Sequence, residues 1–513
     1  MQGHDRTVQQ RDRTVQERDR TVQQRDRTVQ ERDPALQERH PAQRNRARLP
    51  LRRSGNVPGM RLADLSVLAA ASLACATVAA APSTPDAAPT PKPAPRGALE
   101  TPLPNREPRG LLAPSGALGP DVYRRRRQVV LEKLGKAATV VMNEAKWDGD
   151  RSGMDFYWLT GFDEPGAALV LAPSEPVYKE RLFLAPLDVE GERWTGERAE
   201  LPSRALEVST GIASVTRITY LPNALLAQCE RSGELAYVED FTPYAKDAPK
   251  ALEALRKTTG QTLSCKVNDL HGLLGRLREV KSPEEIALMK KAITFTAEGF
   301  KAAVAATRPG AREYDIKDAV EDAMRRAGSR HVAYDTIVGS GPNGAVLHYP
   351  KDDRVVKDGD LVVIDAGAEA DFYAADVTRT YPASGHFTKE HREIYDAVLR
   401  AQAAGLAKVR AGATMGEIAD AVRESVAASG YNDDYMHSCC HFVGLEVHDA
   451  GDYNAPLPEN AVITVEPGIY LSGRAMGVRI EDDVLVTKTG YEILSKDIPK
   501  EPAEVERLLG ARR

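Results

Sequence analysis

Apolar and polar positions recur along this chain with two different periods, and the periods divide it. From Ser282 onward, Ile286, Met289, Ile293, Ala297, Phe300 and Val304 return every three or four residues, the apolar face of a helix. Ser282-Pro283-Glu284-Glu285 supplies its start: an N-cap hydroxyl, a proline at the first helical position and the reciprocal glutamate of a capping box. The pattern predicts further helices from about Glu390 to Val409 and from Met415 to Ser429. Ala137–Met142, Ala167–Ala172 and Arg181–Ala185 are short apolar runs bounded by charge, glycine or proline, and predict strands of an α/β sheet. Strand pairs after Leu361 and Ala461 join the later helices in an α+β half, with a boundary near 275–282.

Upstream of residue 119 neither period holds. The first 40 residues are a seven-residue repeat with one apolar residue per unit: Val8, Val15, Val22, Val29 and Leu36. A coiled coil needs two seam positions per heptad, so the repeat predicts a solvated, disordered segment. Met60-Arg61 is followed by an Ala/Leu-rich run with the length and small-residue ending of an export signal. It predicts translation from Met60 and cleavage near Ala79–Ala81; an Ala-rich linker is the alternative. The run is interrupted by Asp64 and is short for a membrane span, and no other stretch is long and apolar enough to cross a bilayer. Residues 82–97 are Pro/Ala-rich, the composition of an extended tether.

Charge separates along the same lines. Of the net −5 over 513 residues, residues 1–59 carry +6 and residues 60–513 carry −11. An acidic body argues against nucleic acid as the main partner, because phosphate binding needs a basic face. The five cysteines form no CxxC pair, which argues against a disulfide scaffold and against a Cys-rich zinc site. Cys439 and Cys440 read as buried thiols.

Candidate chemistry lies between His348 and Glu481. Asp365 ends the apolar run Leu361-Val-Val-Ile, and Asp376 follows eleven residues later. A turn around Gly367–Asp371 brings the two face to face, and facing carboxylates repel unless a proton or a cation lies between them. Alone, this pair reads equally well as two turn residues. A second strand-turn-strand carries Glu466 and Glu481 at positions that apolar alternation buries. About four buried negative charges in one site require metal ions. Three of the ten histidines, His437, His441 and His448, fall within twelve residues nearby. One imidazole with four carboxylate oxygens suits Mn²⁺, Co²⁺, Fe²⁺ or Zn²⁺ and not a thiolate-rich structural zinc.

These motifs resemble the pita-bread metallopeptidase family of aminopeptidase P, prolidase and methionine aminopeptidase, over roughly residues 280–490. The resemblance implies an α/β N-terminal domain plus an α+β pita-bread C-terminal catalytic domain. It makes Asp365, Asp376, His441, Glu466 and Glu481 the ligands of two divalent metal ions, manganese foremost. In that family's scheme Asp376 and Glu481 bridge the ions, Asp365 chelates one, and His441 with Glu466 holds the other. Glu466 is also the general base and acid. His348 lies near the scissile bond, His448 contacts substrate and steadies the tetrahedral intermediate, and Arg479 props the site.

Met154-Asp155-Phe-Tyr-Trp-Leu-Thr-Gly and Glu192-Arg-Trp194-Thr-Gly-Glu-Arg resemble the N-terminal domain of aminopeptidase P. There Asp155 and Trp194 match residues that line the substrate groove or reach a neighbouring subunit's site. With His437 and Tyr470 they make up the implied substrate-binding set. The stretch Ala450–Asn460 departs from the pattern, being shorter and lacking an arginine that some relatives carry.

The implied domains are 1–59, a basic repeat whose translation is in question; 60–81, signal peptide; 82–118, tether; 119–277, the aminopeptidase P-like N-terminal domain; and 278–505, the catalytic domain. The implied activity is release of the residue that precedes a proline in second position. Proline-containing peptides are the expected partners, in a homodimer or homotetramer that is periplasmic or secreted, with the cytoplasm as the alternative. An Xaa-Pro dipeptidase shares every ligand and is the nearest rival. A non-catalytic peptide-binding module on the same fold is the remote one, and a creatinase-like amidohydrolase lacks this metal set.

Overall fold

The computed structural model describes residues 118–143, 153–188, 190–195, 198–237 and 266–511. The heptad repeat, the leader-like run, the Pro/Ala-rich tether, Cys75 and Cys265 lie outside those residues. The N-terminal part contains strands β1 (Ala138–Met142), β2 (Ala168–Leu171), β3 (Glu180–Leu184), β4 (Ser214–Arg217), β5 (Glu234–Tyr237) and β6 (Lys266–Asp269). They form one mixed sheet in the order β4-β3-β2-β1-β5-β6. The β1–β2 and β2–β3 pairs are antiparallel, and β3–β4, β1–β5 and β5–β6 are parallel. The predicted strands appear within a residue of their expected ends. Helices α1 (Pro120–Lys133), α2 (Met154–Thr160), α3 (Leu221–Ser232) and α4 (His271–Glu279) accompany the sheet. Every side chain of α2 is buried, which makes it a core element of this half.

Helix α5 (Pro283–Ala306) begins at the predicted capping box: Ser282 Oγ accepts from the Glu285 amide, and Glu285 Oε2 accepts from the Ser282 amide at 2.8 Å. Its buried face is turned from the predicted one. Met289, Ile293 and Phe300 are buried as expected, but Ile286, Ala297 and Val304 are only partly buried. Ala292, Thr296, Gly299 and Ala303 occupy the centre of the face instead. Close approach of α6 (Glu313–Ala327) selects those small residues, since a Cβ on Gly299 would stand 2.8 Å from Met324 Cγ. The capping carboxylate also joins the two halves: Glu285 Oε1 accepts from Tyr373 OH at 2.8 Å and pairs with Arg126 of α1 at 3.0 Å.

The C-terminal half is α+β, as expected. Strands β7 (Ile337–Ser340), β8 (Leu361–Ala366) and β11 (Val377–Pro382) form an antiparallel sheet, and β9 (Glu369–Ala370) with β10 (Tyr373–Ala374) forms a small hairpin between the last two. After α7 (Lys389–Leu406) and α8 (Met415–Ala428) come β12 (Val462–Val465), β13 (Gly468–Leu471), β14 (Met476–Arg479), β15 (Asp482–Val486) and β16 (Tyr491–Ile493). β12–β15–β16 and β13–β14 pair antiparallel. α9 (Pro502–Gly510) ends the described chain. Among the described residues no helix is long and apolar enough to cross a membrane.

Candidate metal centre

Strand register assembles the first carboxylate pair, though not as a single turn would. Asp365 pairs directly with Thr378 across β8 and β11, and Ala366 with Val377. Alternate residues of a strand share a face, so Asp376, two residues before Thr378, is the diagonal neighbour of Asp365. The expected direct opposition is therefore corrected: the β9–β10 hairpin fills the connection, and the two acids are offset along the ladder. Gly367 permits the tight crossing, because a Cβ there would meet the Ala375 carbonyl at 1.9 Å. Asp371 and Phe372, at φ 54° and 68°, form the left-handed turn of the hairpin.

The second pair is set by two ladders in one register. Val465 pairs with Asp482 and Gly468 with Arg479, so Glu466 faces Glu481 where both ladders break. Glu481 is fully buried, whereas the Glu466 side chain keeps 16% exposure, the most open of the four acids. His441 is fastened beside β12: its amide donates to Thr464 Oγ1 at 3.1 Å, and its carbonyl accepts from the Thr464 amide at 2.9 Å.

These elements converge. One ligand atom each from Asp376, His441 and Glu481 lie within 4.8 Å of one another. His441 Nε2 is 3.4 Å from Asp376 Oδ2 and 3.5 Å from Glu466 Oε1. Its Nδ1 lies 3.0 Å from the Phe442 carbonyl, which can only accept, so Nδ1 carries a proton and Nε2 is the nitrogen turned to the acids.

The protonation equilibria record the crowding. Burial, then the charges of Asp376, Glu466 and Asp365, push Glu481 well above the carboxylate range. Burial and Asp376 raise Glu466 to about 7 against the pull of His441 and Arg479. Burial raises Asp365, opposed by Arg479 and reinforced by Asp376. Burial works against a charged His441 ring, yet the contact with Asp376 and the Glu466 charge raise it to about 9.

Tyr334 gives the test of fit. Its hydroxyl stands 2.5 Å from Asp365 Oδ1 and 2.5 Å from Asp376 Oδ1. One phenolic proton can serve only one of them, and the other oxygen needs a proton or a cation. Hard oxygens with one imidazole fit divalent first-row ions. Cys439 and Cys440 are buried and free, with their sulfurs 2.6 Å from each other.

Arg479 supports the cluster from behind. Nη2 pairs with Asp365 Oδ2 at 2.6 Å, and Nε donates to Thr378 Oγ1, which donates to Glu481 Oε2 at 2.6 Å. Nη1 donates to the Tyr470 hydroxyl at 3.0 Å, and that hydroxyl lies 2.9 Å from His437 Nε2. His437 Nδ1 faces the Ser438 carbonyl at 2.7 Å, so Nε2 accepts from Tyr470. Burial and Arg479 lower His437 to about 4, leaving it neutral. His448 is exposed, with its ring centroid 4.2 Å from that of His441. His348 is also exposed, and its field helps lower His437 and His448.

The structure thus gathers Asp365, Asp376, His441, Glu466, Glu481, His437, Tyr470, Arg479 and His448. It does not bring Asp155 or Trp194 into the cluster. The Asp155 carboxylate is taken up by Arg278 at 2.8 Å, and Trp194 is 88% exposed. Sequence reasoning missed Thr378, which the period of two after Asp376 could have supplied, and Tyr334, which no pattern marks. It also missed Asp483, whose Oδ2 accepts from the Asp376 amide at 3.0 Å.

Comparison with known proteins agrees with this geometry. Residues 287–488 match the model of metallopeptidase family M24, and residues 123–236 match that of the aminopeptidase P N-terminal domain. The Xaa-Pro aminopeptidase of Escherichia coli K12 is 35% identical over 437 residues, covering 76% of this chain and 98% of its own. That of Haemophilus influenzae is 36% identical over 386 residues, covering 69% of this chain and 87% of its own. The solved structure of Pseudomonas aeruginosa aminopeptidase PepP matches with a TM-score of 0.69 at 31% identity, over 77% of this chain and 99% of that one. Aminopeptidase P from E. coli with the inhibitor Pro-Leu matches at 0.68 and 33% identity, with the same coverage. A chain that carries both matched regions in order, folds as these structures do and converges five such donors belongs to metallopeptidase family M24, in its aminopeptidase P group, and is a metallo-aminopeptidase.

Proposed function

We propose that this enzyme releases the N-terminal residue from peptides with proline in second position. The observation that carries the reading is the convergence of Asp365, Asp376, Glu466, Glu481 and His441 in one largely buried cluster. The names of the relatives support the proline preference, and an Xaa-Pro bond has no N–H for ordinary peptidases to grip.

Asp365, Asp376, His441, Glu466 and Glu481 would hold two divalent cations, manganese first. Bound there, such ions acidify water and polarise a carbonyl near neutral pH. The remaining work falls to side chains. Glu466, the most open of the four acids, takes the attacking water's proton and returns it to the leaving imino nitrogen. His448 and His348 donate N–H bonds to the oxygen on which charge develops, where one such donor is worth roughly 2.7–4 kcal/mol. Arg479 and Thr378 hold the carboxylates in place.

Incubation of the manganese-loaded enzyme with an Xaa-Pro-Pro tripeptide tests the proposal. Release of the first residue is expected; cleavage of Xaa-Pro dipeptides alone would make the enzyme a dipeptidase.

Export through residues 60–81 belongs to the same proposal. Cys229 is disulfide-bonded, and disulfides persist in oxidising compartments. N-terminal sequencing of the native protein should begin near Ala80–Pro82, and an intact Met1 would refute export. We also infer a homodimer or homotetramer, in which a second subunit would cover Trp194, exposed by 88%. A monomeric mass by light scattering would refute that part.

A further inference from the structure

The loop that carries His448 is anchored by buried ions. Asp449, the next residue, is enclosed and meets two cations: Arg278 Nη2 at one carboxylate oxygen, and Lys281 Nζ at 2.8 Å from the other. Arg278 sits in the last turn of α4. Its Nη1 donates to Asp155 Oδ1 of α2 at 2.8 Å, and Nη2 also reaches Glu446 Oε2 at 2.7 Å. Lys281 Nζ returns to the Arg278 carbonyl at 2.8 Å.

Backbone bonds close the same loop, with the Asp449 amide on the Phe442 carbonyl at 2.9 Å and the Asp452 amide on Glu279 Oε1. Gly444 leaves room for the carboxylate, because a Cβ there would lie 2.0 Å from Asp449 Oδ2. The His448 ring itself is exposed and rests on His441, so its place depends on where the loop backbone is held.

We infer that the buried chain Asp155–Arg278–Asp449 is the positioning device of His448, by which the N-terminal α/β half fixes an imidazole of the reaction site. Apolar groups would stabilise a fold as well as buried ions do, whereas a planar, forked guanidinium dictates direction. Asp155 thus serves the reaction through Arg278 and not by touching substrate. The inference rests on the role proposed above for His448.

The test uses manganese-loaded enzyme carrying Arg278→Lys or Asp449→Asn, each alone and combined with His448→Ala. Arg278→Lys keeps the charge and serves if Asp449→Asn does not fold. Each single variant should lower kcat on an Xaa-Pro peptide by about 10–100-fold, with KM and bound manganese within about twofold. In the His448→Ala background neither should lower kcat further. Losses that multiply with His448→Ala, or that fall on KM or metal content, would overturn the positioning role. If wild-type enzyme cleaves no Xaa-Pro peptide, the proposed function fails but the positioning is still decided. The ring resonances of His448 in ¹³C-histidine-labelled protein should then move in Arg278→Lys, and unmoved resonances would refute the inference.

Discussion

Arg479 and Asp365 are joined by a 2.6 Å contact between Nη2 and Oδ2, with only 4% and 12% of the two side chains open to solvent. Burial opposes the guanidinium's charge, yet Tyr470, Asp365 and Glu481 hold it protonated. It is therefore a fixed positive charge behind an anionic cluster. Removing one partner of a buried pair costs about 3–5 kcal/mol, because the other charge is left uncompensated. Arg479→Met should reduce kcat/KM by at least about 100-fold and weaken metal retention on dialysis. Arg479→Lys, which keeps charge but not the fork to Thr378 and Tyr470, should fall between. A methionine variant with wild-type kcat/KM would show that the support is dispensable.

Glu466 is the acid of the cluster that remains partly open, and it faces Glu481 across the ladder break. Glu466→Gln keeps the shape and removes the proton-carrying oxygen. In manganese-supplemented buffer kcat should fall by roughly 10²–10⁴-fold with the fold intact by circular dichroism. In EDTA the same variant should melt no lower than wild type, since one crowding charge is gone. Near-wild-type turnover would exclude Glu466 as the proton carrier.

How far the sequence anticipated this site follows from how local each relation is. The capping box at Ser282 and the strand ends at Ala138 and Ala168 depend on neighbouring residues and lie where the pattern predicts. Asp365, Asp376, Glu466 and Glu481 were legible because an acid ending an apolar run is itself a local anomaly. The partner across the ladder was not legible, since the turn near Gly367–Asp371 was predicted but not the β9–β10 pairing that offsets Asp376 from Asp365. Tyr334 and Arg278 were invisible for the same reason: both act across long sequence separations, and neither breaks a pattern where it stands. Asp155 shows the converse limit, because its motif was plain while its partner was not.

Tyr334 yields a prediction that separates metal-free from metal-loaded protein. Its hydroxyl is the donor between Asp365 and Asp376. A buried acceptor that loses its donor costs about 1–3 kcal/mol. Tyr334→Phe should destabilise the EDTA-treated protein by that amount in urea titration. The penalty should shrink when manganese neutralises the same oxygens. Equal penalties in both conditions would mean that the hydroxyl and the metal do not share those oxygens.

Protonation of the cluster fixes how stability depends on pH. Glu466 rises to about 7 from an ordinary 4.5, and Asp365 and Glu481 also rise. The folded metal-free chain therefore keeps protons that the unfolded chain has released, so its stability falls as pH climbs from about 4.5 through 7. His441, raised to about 9 from 6.5, contributes stability that is complete below 6.5 and lost as pH rises through 9. Asp449 and Asp482 act in the opposite sense. Their burial is outweighed by Arg278 and by Arg379, and the stability they supply is lost only as pH falls below the usual aspartate range. Divalent ions reverse the neutral-range trend, because carboxyls and imidazole must shed protons to bind them. The difference in Tm between manganese-loaded and EDTA-treated protein should therefore widen steadily from about pH 5 to about pH 8.5. Titration of manganese into metal-free protein near neutral pH should release protons, measurable by calorimetry in buffers of different ionisation enthalpy. A Tm difference that stays constant with pH, with no proton release, would mean that these groups do not receive the metal.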